Sequence, residues 1–141
     1  MKNLPNFKIV ILEDDDFYNK LLSRFLEQEL KNTALIKRFT VEINSYTSFK
    51  DCSRNFDNNT TLLFTDYYLR DGYSASHMID FIKYRCSDCK VVVLSQVQTI
   101  QTSICTILQG AYEFIVKDKK TLFQCKDLAE TIILEKLILK D

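Results

Sequence analysis

Apolar residues gather in five short runs, separated by stretches in which they recur every three to four positions. The first run, Lys8-Ile-Val-Ile-Leu12, the third, Leu62-Leu-Phe64, and the fourth, Val91-Val-Val-Leu94, are apolar almost throughout, as strands covered on both faces must be. The second, from Phe39 to Asn44, alternates apolar and polar residues, which places it at a sheet edge with one wetter face. The fifth, Phe114-Ile-Val116, is short and suits the opposite edge. Strands that alternate with helices predict an α/β domain with a parallel sheet. Those edges fit the strand order 2-1-3-4-5, with helices on both faces.

The helical stretches are bounded by recognisable caps. Asp15 or Asp16 can start a helix running to about Leu30, with Phe17, Leu21 and Phe25 along one side. A short helix is predicted between Ser48 and Arg54. Ser74 can cap the next, whose Ala75, Met78, Ile79 and Ile82 form an inward face and leave His77 on the solvated side. Ile100, Ile104, Ile107 and Leu108 have the same spacing in a fourth helix, closed by Gly110. The last, from about Leu122 to Leu139, is predicted to bury Leu122, Cys125, Ala129, Ile132 and Ile133. On its other side Leu134 and Ile138 lie one turn apart with Phe123 roughly in line, a candidate output or dimer surface.

Composition narrows the class. The 141 residues suffice for one domain, taken here as 1–141, with no repeat or linker. Nineteen Lys and Arg balance nineteen Asp and Glu, which argues against a nucleic-acid-binding module. No apolar run approaches the roughly 18 residues of a membrane span, and MKNLPNF lacks the apolar stretch of a secretory signal. A cytoplasmic protein is the expectation. Five cysteines without regular spacing do not suggest a disulfide framework. Cys86 and Cys89 form a single C-x-x-C, half of a structural zinc site, and are read as reduced thiols.

Chemistry enters with the residues that end the apolar runs. The first ends in Glu13-Asp14, the third in Thr65-Asp66, the fourth in Ser95 and the fifth in Lys117. Parallel sheets of this kind bind ligands beyond the carboxyl ends of their strands. Four strands would thus deliver three carboxylates, a hydroxyl and an ammonium to one crevice. The carboxylates would repel one another, and a hard divalent cation such as Mg2+ would relieve that repulsion. Lys117 and Ser95 can neutralise and orient a phosphoryl group, and a carboxylate so placed can act as nucleophile, giving an aspartyl phosphate.

From Lys8 to the final helix the sequence resembles the receiver domain of two-component response regulators. The resemblance rests on Glu13-Asp14, on Asp66 followed by Leu69, Asp71 and Gly72, on Ser95, and on Gly110-Ala-Tyr-Glu-Phe-Ile-Val-Lys117. It implies a flavodoxin-like, doubly wound, five-stranded parallel sheet and a role in phosphorelay signalling. Asp66 would be the phosphoacceptor, supplied by a sensor histidine kinase or histidine phosphotransfer protein. Asp14 and Asp66 would bind Mg2+ directly, Glu13 directly or through water, and the Tyr68 main-chain carbonyl would complete the protein ligands. Ser95 would contact the phosphoryl oxygen, Lys117 would pair with it, and Phe114 would be the aromatic switch. The only reactions expected are self-phosphorylation and self-dephosphorylation, not turnover of an external substrate. The signal would leave through contact with a downstream protein, or through a homodimer formed by the last helix.

This sequence departs from the family at three positions. Arg70 stands where many members have proline, Asp118 replaces a common proline after the lysine, and Gln96 replaces a small residue beside the phosphoryl group. Gln96 supports one rival, a degenerate receiver that binds partners without phosphorylation. A phosphatase-type enzyme using Asp66 would need a nearby general acid, and the residue two positions on is Tyr68. Tyr68 and Val97, two residues past Asp66 and Ser95, are expected instead to shield a phosphorylated Asp66 from water.

Overall fold

The structure, a computed structural model, describes residues 3–86, 88–96 and 99–139. Five parallel strands, β1 (Asn6–Leu12), β2 (Thr40–Tyr46), β3 (Leu62–Asp66), β4 (Lys90–Ser95) and β5 (Glu113–Val116), form one sheet in the order β2-β1-β3-β4-β5. The connecting helices are α1 (Asp16–Lys37), α2 (Phe49–Arg54), α3 (Ala75–Lys83) and α4 (Ile100–Gln109), and α5 (Thr121–Leu139) follows β5. Each predicted run is a strand, and the two expected edges are the edges.

Alternation along the strands divides the interior in two, because residues two apart share a face. Ile9, Ile11, Leu62, Phe64, Val92 and Leu94 pack with α1 and α5. Val10, Leu12, Leu63, Val91 and Val93 pack on the other side with α2 and α3. The side chains of Asp15 and Ser48 cap α1 and α2 by accepting from the amides of Tyr18 and Asp51. At α3 the Ser74 amide donates to His77 Nδ1 (3.0 Å), so this exposed histidine belongs to a capping box. Gly110 closes α4 at φ 131°, a backbone conformation that side chains other than glycine's strain to adopt.

On two helices the apolar series that stands out in the sequence is not the buried one. Helix α1 buries Leu22, Leu26 and Leu30 and extends to Lys37, whereas Phe17 and Leu21 are exposed and Phe25 is only half-buried. Two apolar series with i, i+4 spacing overlap here, and the aliphatic floor of the sheet takes the one centred on Leu26. Helix α4 departs further. Ile100 and Leu108 are 75% and 82% exposed, Ile104 and Ile107 are exposed as well, and only Thr106 is buried. Its inner side is held by polar contacts instead. Ser76 Oγ donates to Gln109 Oε1 (2.9 Å), and Gln109 Nε2 donates to the Ser76 carbonyl (3.0 Å) and to Asp80 (3.1 Å).

Helix α5 buries Cys125, Ala129, Ile132 and Ile133 as expected, with Leu122 half-buried. In the outer series Phe123 and Ile138 are exposed and Leu134 is half-buried, and Phe123 meets Phe25 edge-on at 5.2 Å. Cys86 and Cys89 are buried free thiols, and burial pushes the Cys89 thiol well above its ordinary range. Among the described residues no peptide bond is cis, including Lys117–Asp118, and no helix is long and apolar enough to cross a membrane.

The two helix faces lead to opposite expectations for truncation. Leu26→Ala should destabilise the fold by about 3 kcal/mol through the cavity it leaves. Ile104→Gln should change stability by less than about 0.5 kcal/mol. Urea unfolding of both variants checks this, and a comparable loss in the second would mean that the α4 stripe is packed.

Candidate functional site

The carboxyl ends of the strands open into a cleft of about 410 Å³ lined by Glu13, Asp14, Asp66, Ser95 and Lys117, with Tyr68, Arg70 and Gln96 among its other walls. The placement follows from the ladder. Glu13 and Asp14 follow β1, Asp66 and Ser95 end β3 and β4, and Lys117 follows β5. The Lys117 amide donates to the Ser95 carbonyl (2.8 Å), which fixes the lysine beside β4. The Tyr67 amide donates both to the Leu94 carbonyl and to Asp66 Oδ1 (2.9 Å each), turning the chain as it leaves β3.

Glu13 is the deepest of the carboxylates, at 2% exposure. Its Oε1 pairs with Lys117 Nζ at 2.5 Å, and the same ammonium lies 3.5 Å from Asp66 Oδ1. The lysine also sits over the Tyr18 ring, 4.5 Å from its centroid. Burial raises the Glu13 pKa; pairing with Lys117 opposes the rise and the nearby Asp66 charge adds to it. Burial likewise raises Asp66, against the pull of the Lys117 charge. Each carboxylate of Glu13, Asp14 and Asp66 offers an oxygen within 4.8 Å of the others, the only such ligand group among the described residues. Oxygen donors of net negative charge around one point fit a hard divalent cation of the Mg2+ type.

Glu13, Asp14, Asp66, Ser95 and Lys117, expected together from the sequence, therefore line one cleft, whereas Phe114 lies outside its lining. Ser95 is buried at the end of β4. Phe114 is half-buried, its ring edge-on to Tyr67 at 6.4 Å. Tyr68 lines the cleft with a largely exposed ring, and Gln96 is exposed at its wall. Val97, the other expected shield, lies outside the described residues.

Three supporting residues were not assigned roles from the sequence. Buried Asn19 donates to the carbonyls of Glu13 (3.0 Å) and Tyr46 (2.9 Å), fastening the ends of β1 and β2 to α1. Asp71 accepts from the amides of Phe49 (3.1 Å) and Tyr73 (3.3 Å), and the Phe49 and Tyr73 rings stack at 4.2 Å. The loop after Asp66 is thereby clamped to α2. Arg70 donates its amide to Asp14 Oδ2 at 2.5 Å. A lone polar residue in a helix or loop pattern gives no hint of such long-range bonds.

No protein-family model and no curated protein sequence matches the chain. Solved structures do. A response regulator receiver domain protein from Clostridium thermocellum superposes with a TM-score of 0.73 at 18% identity, covering 94% of this chain and 98% of that one. The beryllofluoride-activated NtrC4 receiver domain dimer gives 0.69 at 21%, covering 89% and 98%. A response regulator from Burkholderia pseudomallei, solved with a phosphorylated aspartic acid and a calcium ion, gives 0.65 at 14%, covering 96% and 75%. The chain thus has the flavodoxin-like fold of response regulator receiver domains.

The raised Glu13 pKa carries a sign. A group whose pKa is higher folded than unfolded binds more protons in the folded state between the two values, so stability falls as pH rises through that window. With metal chelated, the protein should be more stable to urea at about pH 6 than at about pH 8. Glu13→Gln should flatten that slope, and a wild-type slope of opposite sign would contradict the assignment.

Proposed function

We propose that this chain is a phosphoacceptor in a phosphorelay, with Asp66 as the residue modified. The observation that carries the reading is the meeting of Glu13, Asp14, Asp66 and Lys117 in one cleft of a receiver fold. Phosphorylation of an aspartate in one protein of like fold, with a cation in the same structure, supports it. The donor would be a sensor histidine kinase or histidine phosphotransfer protein. An Asp66 carboxylate oxygen attacks phosphorus in line, the bond from phosphorus to the donor imidazole nitrogen breaks, and that nitrogen keeps the electron pair. Glu13, Asp14 and Asp66, with the Tyr68 carbonyl, would hold Mg2+. Bound there, the ion supplies positive charge to the phosphoryl oxygens. Lys117 adds a second cation, already placed 3.5 Å from Asp66. Ser95 would donate its hydroxyl to the phosphoryl group and couple that contact to Phe114, shifting a two-state equilibrium at the surface.

The switched surface would meet a downstream protein or a second copy of the chain through α5. The dimeric state of the activated NtrC4 receiver domain supports the second possibility.

Incubation with acetyl phosphate and Mg2+ should add one phosphoryl mass to the wild type and none to Asp66→Asn. Equal labelling of the two would remove Asp66 from the role. An unlabelled wild type that still binds its partner would favour the phosphorylation-independent receiver.

Tyr68 at the cleft wall should slow hydrolysis of the acyl phosphate. Tyr68→Asn should shorten the phosphoprotein half-life by roughly threefold or more, a modest barrier change. An unchanged decay would show that the ring does not exclude water.

A further inference from the structure

The three carboxylates are not neutralised alike. Lys117 reaches Glu13 and Asp66 from inside the cleft, whereas Asp14 is met from the rim by Arg70. One oxygen, Oδ2, takes both Arg70 contacts: it accepts the backbone N–H at 2.5 Å and lies 3.9 Å from the guanidinium Nε. A proline at this position could make neither contact, because it has no amide hydrogen and no charge. The arginine side chain is 76% exposed and that of Asp14 only 11%. The carboxylate is therefore held in place while its cationic partner stays free to move away.

We propose that Arg70 is a positioning residue that lowers the affinity of the cleft for a divalent cation by competing for Asp14. The inference rests on the cleft being a cation site, as in the reading above. An ion among Glu13, Asp14 and Asp66 would share Asp14 with a guanidinium of the same sign. The Arg70 charge then opposes binding until it swings into solvent, which its exposure permits. The amide bond does not conflict with the ion, since a carboxylate oxygen has a second lone pair and Asp14 a second oxygen. Arg70 thus keeps Asp14 oriented while its charge sets how tightly the ion is held.

Calorimetric titration of the full chain with Mg2+ and with Mn2+ tests this without any phosphoryl donor. Arg70→Gln keeps the amide and removes the charge, and should bind both ions roughly three- to tenfold more tightly at low ionic strength. The gain should shrink in about 0.5 M salt, where exposed charges are screened. Arg70→Lys should stay close to wild type. Arg70→Gln binding no more tightly than wild type at low salt would overturn the proposal. A wild type that binds neither ion supports it if Arg70→Gln binds them. If neither protein binds, both the proposal and the cation site fail. Asp14→Asn, expected to weaken binding, reports on the cation site alone, so loss of the site and loss of the competition are told apart.

Discussion

The ion pair between Lys117 and Glu13 is the contact on which the site depends. It joins residues 104 positions apart, one beyond the end of β1 and the other beyond the end of β5. Those strands are not neighbours, since β3 and β4 lie between them. The pair can form only when the four strands are in register, so the electrostatics of the cleft are a property of the completed sheet. Three carboxylates this close would otherwise repel one another out of a compact arrangement. The lysine offsets part of that repulsion and leaves an excess of negative charge for a cation to complete.

The same constraint explains why so much of the site was legible in the sequence. Each functional group stands at the end of a strongly apolar strand, and parallel strands all end on one side. Identifying the strands therefore located Glu13, Asp14, Asp66, Ser95 and Lys117 together. Their supports were not legible in this way. Asn19 is buried because two carbonyls, at Glu13 and Tyr46, need a donor there, and one polar residue among the leucines of α1 does not announce that. Asp71 clamps a loop through the amide of Phe49, a residue 22 positions earlier. Long-range bonds of this kind leave no periodic trace.

The fold was legible where periodicity and burial agree, as in α3, whose four expected core residues are all buried. It was not legible where two apolar series compete, as in α1, and where the apolar stripe of a helix faces outward, as in α4. Spacing identifies a face of a helix but not the direction in which it points. In α1 the buried series lies about one residue, or 100°, round the helix from Phe17, Leu21 and Phe25. For α4 the inward side is defined by Thr106 and Gln109, which carry no hydrophobic signal at all.

That inversion has a mechanical consequence. Helices α1, α3 and α5 each bury at least three apolar side chains, so displacing any of them exposes hydrocarbon to water. Helix α4 gives up mainly hydrogen bonds, which water replaces at a net loss of only about 1 kcal/mol each. It also has less apolar surface to hide when it moves, because most of that surface is already outside. Local opening therefore reaches α4 at lower cost than α1, α3 or α5, and solvent should find its amides before theirs. The helix that follows Ser95 and the cleft is thus held less firmly than α1, α3 or α5.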